Sequence, residues 1–114
     1  YSNLALNCSN TNFIWAHMGG HYVLDFMMLA KRLQNVFMDL SYSLLYYQSN
    51  STLSDIIYCI KSMKANKIFY GSDYPDRPIL DSYKKSLKIF RQYGLTKKEQ
   101  NKILFSNANS FFKW

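Results

Sequence analysis

Cysteine is scarce in this chain. Cys8 and Cys59 are the only two, far apart and in no Cys-x-x-Cys arrangement, so neither a zinc knuckle nor a redox pair is expected. Both stand in helix-like surroundings, where a buried free thiol is the ordinary state, and that points to a reducing, cytoplasmic location. No run of 18 apolar residues occurs, which excludes a membrane-spanning helix. Acids are few as well, seven against fourteen Lys and Arg, leaving a net charge of +7. The surplus gathers in Lys84, Lys85, Lys88, Arg91, Lys97, Lys98, Lys102 and Lys113. Those spacings place it mostly on the outer faces of two amphipathic helices. A basic balance of that kind reads as a solvated surface, so neither a nucleic acid nor a membrane is expected as partner.

Apolar residues are plentiful, at 48% with 18% aromatic, and 114 residues suit one small domain. The chain opens on Tyr1 inside an apparent helix, which leads us to expect the C-terminal portion of a longer domain. Three short apolar runs predict strands: residues 13–16, 36–40 and 67–70. The first lacks polar alternation, the mark of a parallel strand covered on both faces by helices. Helical periodicity follows each run, over residues 21–34, 52–63 and from 79 to a stop at Gly94. Asn35 and Gly94 read as helix terminators and Thr52 as an N-cap. Thr96 and Glu99 spell a capping box for a last helix.

This alternation places chemistry at strand ends. His17 follows the first strand, Ser41 the second and Asp73 the third, 24 and 32 residues apart. Right-handed crossovers bring such tips to one edge of the sheet. Gly19-Gly20 after His17 predicts a sharp turn with space for a ligand beside the imidazole. Arg77, just past Pro75, is a candidate to bind a substrate carboxylate or phosphate, or else a surface partner of Asp76 or Asp81. Tyr42, Tyr46 and Tyr47 in the loop after the second strand suit either a pocket wall or local packing. Asp39, alone in an apolar strand, needs a polar interior or backbone partners. A carboxylate and an imidazole on one rim serve as metal ligands, as an acid–base pair, or as both.

Ala16-His17-Met18-Gly19-Gly20, Asn35-Val36-Phe37-Met38-Asp39-Leu40-Ser41, Tyr70-Gly71-Ser72-Asp73-Tyr74-Pro75 and Asn107-Ala108 occur in this order. The set resembles the C-terminal part of the amidohydrolase-related family of metal-dependent hydrolases and nonoxidative decarboxylases, such as aminocarboxymuconate semialdehyde decarboxylase. The resemblance implies an α/β fold, strands six to eight of a (β/α)8 barrel with their helices, over residues 1–114. It implies Asp73 as a metal ligand that helps activate water, and His17 at the metal site, orienting or deprotonating that water. The divalent ion would be Zn, or Mn or another, and the substrate a small carbonyl compound cleaved at a C–N or C–O bond. The family's His-x-His pair and its further histidine have no counterpart here, and His21 does not replace them. Three strands cannot close a barrel, so their open edges are expected to favour association, including with a second copy. The rival expectations are a decarboxylase of the same family and a non-catalytic remnant acting as a basic interaction module.

Overall fold

The computed structural model describes residues 1–113. The three apolar runs form β1 (Phe13–Trp15), β2 (Val36–Asp39) and β3 (Ile68–Phe69), all parallel and side by side in chain order. Phe13 lies opposite Val36, Trp15 opposite Met38, and Met38 opposite Ile68. Because side chains alternate along a strand, these five share one face of the sheet. Ile14, Phe37, Asp39 and Phe69 share the other.

The first face is covered. Val23, Phe26, Met27 and Ala30 of α2 (Val23–Arg32) and Ile56 and Ile60 of α4 (Thr52–Ser62) are all buried in the same core as Val36, Met38 and Ile68. The second face is open by comparison. Ile14 is 38% exposed, Phe37 and Asp39 are half-buried, and the Lys67 ammonium lies 5.8 Å from the centre of the Phe37 ring. Aromatic rings from the C-terminal end of the chain reach this face too. There Phe111 sets its ring 4.6 Å from that of Phe37 and 5.3 Å from that of Phe69. Burial on both faces, expected for the first strand, therefore fails at Ile14. Three strands do not wrap round far enough to enclose their inner side.

Helix limits follow local chemistry. α2 starts at Val23, later than the apolar pattern suggests, because His17 to Gly20 all have positive φ and form a tight left-handed turn instead. Thr52 is the first residue of α4 rather than its cap. Asn50 does that work, its Oδ1 accepting from the Thr52 amide at 2.9 Å and from the Thr52 hydroxyl at 3.0 Å. A short helix, α3 (Ser43–Tyr46), interrupts what reads as a loop. α5 (Ile79–Gln92) ends on Tyr93, with Gly94 at φ +71 beyond it. The capping box opens α6 (Lys97–Asn101) as expected, the Thr96 hydroxyl accepting from the Glu99 amide and Glu99 from the Thr96 amide.

Two asparagines tie the layers together. Asn35 does not stop α2, which ends at Arg32 with Leu33 as its cap. It is buried, and its amide group donates to the carbonyls of Ala5, Cys8 and Thr11 at 2.9–3.2 Å, holding α1 (Ser2–Asn7) and its following loop to β2. Asn107, at the start of α7 (Asn107–Phe112), donates to the carbonyls of Ala65 and Ile68 at 2.7 and 2.8 Å. Between α6 and α7 the chain widens into one π turn, Lys102–Ser106, whose Ile103 carbonyl accepts the Tyr70 amide at 3.0 Å. Part of the outer edge of β3 is closed in this way.

Candidate active site

With three parallel strands side by side, the segments after β1, β2 and β3 all emerge at the sheet's C-terminal edge, where α/β folds assemble their sites. A cavity of about 740 Å³ lies across them. The β1 segment contributes Ala16, His17, Gly19 and Gly20; the β2 segment Ser41, Tyr42, Tyr46 and Tyr47; the β3 segment Asp73, Asp76 and Arg77. Trp15, Tyr22, Phe26 and Tyr1 complete an aromatic wall. All three candidates named from the sequence, His17, Asp73 and Arg77, thus face one cavity although 60 residues separate the first from the last.

His17 is exposed and held from one side. Its Nδ1 stands 2.8 Å from the Ser41 carbonyl oxygen. A carbonyl only accepts, so Nδ1 carries the hydrogen, and in the neutral ring Nε2 keeps a lone pair for a ligand or a proton. Gly71 lies close behind Ser41: a Cβ there would come within 2.6 Å of the Ser41 hydroxyl and 3.3 Å of Asp39 Oδ1. Asp39 Oδ1 is itself buried and finds no hydrogen-bond partner among the described residues. Neither of the surroundings anticipated for Asp39, a polar interior or backbone partners, supplies this oxygen with a hydrogen bond among the described residues.

Open space lies beside His17, as the Gly-Gly turn suggests, but Gly19 itself is packed tightly on its other side. A Cβ on Gly19 would fall 2.0 Å from the Phe26 ring, and φ at that residue is +80. Glycine is needed here for close packing as well as for the turn, while Met18 is fully buried and anchors the loop. The tyrosine loop resolves toward the cavity: Tyr42, Tyr46 and Tyr47 all line it. Sequence periodicity did not separate these roles, because both a pocket wall and a packed loop use aromatic side chains.

Asp73 is half-buried, with φ +67, and its carbonyl accepts the Arg77 amide at 3.1 Å, closing a turn that sets Arg77 back over the rim. The Arg77 Nε lies 3.1 Å from Asp76 Oδ2, and its guanidinium carbon lies 4.6 Å from the centre of the Tyr42 ring. Asp81 pairs with Lys85 instead, at 2.8 Å, and that hydrogen bond is the main reason the Lys85 pKa is raised.

Among the described residues, no group of three or more His, Cys, Asp and Glu side chains stands close enough to hold a metal ion. A catalytic ion of the zinc type takes about three protein ligands. The donor chemistry of His17 and Asp73 suits such an ion, but two residues do not complete its site, so the residues of this chain alone do not fit it.

Comparison with known proteins agrees with the fold. The sequence profile described as Amidohydrolase matches residues 1–114. An uncharacterized TIM-barrel protein from Bordetella bronchiseptica superposes with a TM-score of 0.81 at 18% identity. The match covers 98% of this chain and 37% of that one. No curated protein matches the chain. Three βα units in this arrangement are a partial (β/α) barrel.

Proposed function

Because the chain belongs to the amidohydrolase family along its whole length, we propose that it forms the C-terminal sector of a hydrolase barrel, strands six to eight, and cleaves a C–N or C–O bond of a small carbonyl compound. One observation carries this reading: His17 and Asp73, from different βα units, line the same cavity at the C-terminal edge of a parallel sheet. The Ser41 carbonyl fixes the tautomer of His17, so Nε2 is the atom that accepts a proton from the attacking water. The Asp73 carboxylate, presented from a turn closed by Arg77, orients that water. The aromatic wall limits access of bulk solvent and gives the substrate an apolar bed.

Because the described residues do not complete a site for a divalent ion, the roles assigned here are those of a base for His17 and a water-orienting carboxylate for Asp73. The test is kinetic and uses the full-length protein. Metal content and turnover are measured on a panel of small lactones, esters and amides for the wild type, Asp73→Asn and His17→Asn. Each substitution is expected to lower kcat/KM by about a hundredfold or more. Wild-type turnover in Asp73→Asn would reject the assignment.

A further inference from the structure

Tyr42 occupies a costly backbone position. Its φ is +62 and its ψ −2, a left-handed conformation that bulky side chains rarely adopt. The conformation is held by its surroundings, since the Tyr42 amide donates to the Gly71 carbonyl at 3.3 Å and the Tyr42 carbonyl accepts from the amides of Leu45 and Tyr46 at 3.0 Å. The result is to lay the ring at the cavity wall with the Arg77 guanidinium 4.6 Å above its centre.

The guanidinium is engaged on one side only. Asp76 meets Nε, and among the described residues nothing is hydrogen-bonded to the outer edge formed by the two terminal nitrogens. That edge carries the paired donors that match a carboxylate in two parallel hydrogen bonds. The Asp76 pair does little to compete, because its side chains are 71% and 47% exposed and exposed ion pairs hold weakly. A flexible arginine that ordinarily samples many rotamers is here held over a ring, its guanidinium carbon 4.6 Å from the ring centre.

We propose that Tyr42 is a positioning residue that holds Arg77 as the anchor for a carboxylate group of the small molecule bound in this cavity. The inference deepens the hydrolase reading and rests on the cavity's being its substrate site. It assigns the substrate class as organic acid anions, with the carboxylate toward Arg77 and the remainder of the molecule toward Trp15 and Tyr47.

The test is benzoate binding by the full-length protein, followed by calorimetry, with inorganic phosphate as the competing anion. Arg77→Lys keeps the charge but loses the flat paired edge, and is expected to weaken benzoate about tenfold. Tyr42→Phe keeps the ring and should bind within about twofold of wild type. Tyr42→Leu has the same left-handed backbone penalty as Tyr42→Phe but no π face, and should lose about threefold to tenfold. A purely structural role for Tyr42 would make the Leu and Phe variants alike in affinity, and that outcome would overturn the proposal. Unchanged affinity in Arg77→Lys, or phosphate binding as tightly as benzoate, would overturn it too. Unchanged benzoate affinity in Arg77→Lys with Asp73→Asn still ending turnover rejects this inference alone; the expected weakening in Arg77→Lys with normal turnover in Asp73→Asn rejects the hydrolase alone.

Discussion

Two glycines show how single positions govern the rim, and they act through different physics. Gly19 combines a φ of +80 with a Cβ position 2.0 Å from Phe26. Alanine there adds left-handed strain of about 1–2 kcal/mol and an overpacking cost of about 1–3 kcal/mol. Gly19→Ala should therefore lower unfolding free energy by roughly 2–5 kcal/mol in denaturant melts, and a loss below about 1 kcal/mol would mean Phe26 moves freely. Gly71 has an ordinary backbone, so alanine costs little conformationally but pushes on Ser41, whose carbonyl orients His17. Gly71→Ala should cut turnover by about tenfold to a hundredfold through misplacement of the imidazole with only a small change in Tm. Equal losses in both would argue against the link through Ser41. The identity of His17, Asp73 and Arg77 as rim residues was legible in the sequence, since each follows an apolar run and a break. The Ser41 contact and the filling of Gly19 by Phe26 were not, because they depend on which side chains meet across separate βα units.

At the scale of elements, the order of strands and helices was legible from periodicity, whereas the details at their ends were set by contacts. The π turn at Lys102–Ser106 has no mark in the apolar spacing; it exists where the Ile103 carbonyl meets the edge of β3. Asn35 looked like a helix stop because asparagine so often is one, yet its carboxamide is spent on three carbonyls of the preceding segment. α4 carries a pH dependence of its own. Cys59 on that helix is fully buried against the sulfurs of Met38 and Met63, at 3.9 and 3.8 Å, and burial pushes its thiol up to about 12 from an ordinary 9.0, against a small opposing pull from Lys31. The folded state keeps this proton while the unfolded chain releases it, so stability is whole below pH 9 and falls as pH rises from there toward about 12. The slope from this group approaches about 1.4 kcal/mol per pH unit. Tyr70, raised mainly by burial, adds to the loss at higher pH, and Lys67, lowered by burial, opposes it. Urea melts between pH 8 and 10.5 should show a shallower decline for Cys59→Ala than for wild type; parallel declines would place the dependence elsewhere.

For the whole molecule, the decisive fact is a sheet with one dressed face and one open one. α2 and α4 cover the side of Val36 and Met38, while Ile14 at 38% exposure and half-buried Phe37 face outward beside Phe111. β1 pairs with β2 alone among the described strands, leaving its outer edge a template for another strand. In a closed barrel of eight strands both the inner face and that edge are consumed, and this chain corresponds to 37% of the length of the TIM-barrel protein it resembles in fold. Leu4 and Leu6 on α1 and Leu24 and Met28 on α2 are further exposed apolar side chains. The net charge of +7 opposes self-association, but salt screens charge within about 8 Å at physiological ionic strength, whereas buried apolar area is not screened. The 114-residue chain expressed alone should therefore be larger than a monomer by light scattering at physiological salt, and larger still when salt is raised. Ile14→Lys, a charge on the open face, should shift it toward monomer with little loss of Tm, because that side chain has few packing partners to lose. A wild-type chain that remains a monomer across the salt series would mean that the aromatic end at Phe111 already closes the inner face, and that the sheet needs no further strands to be satisfied.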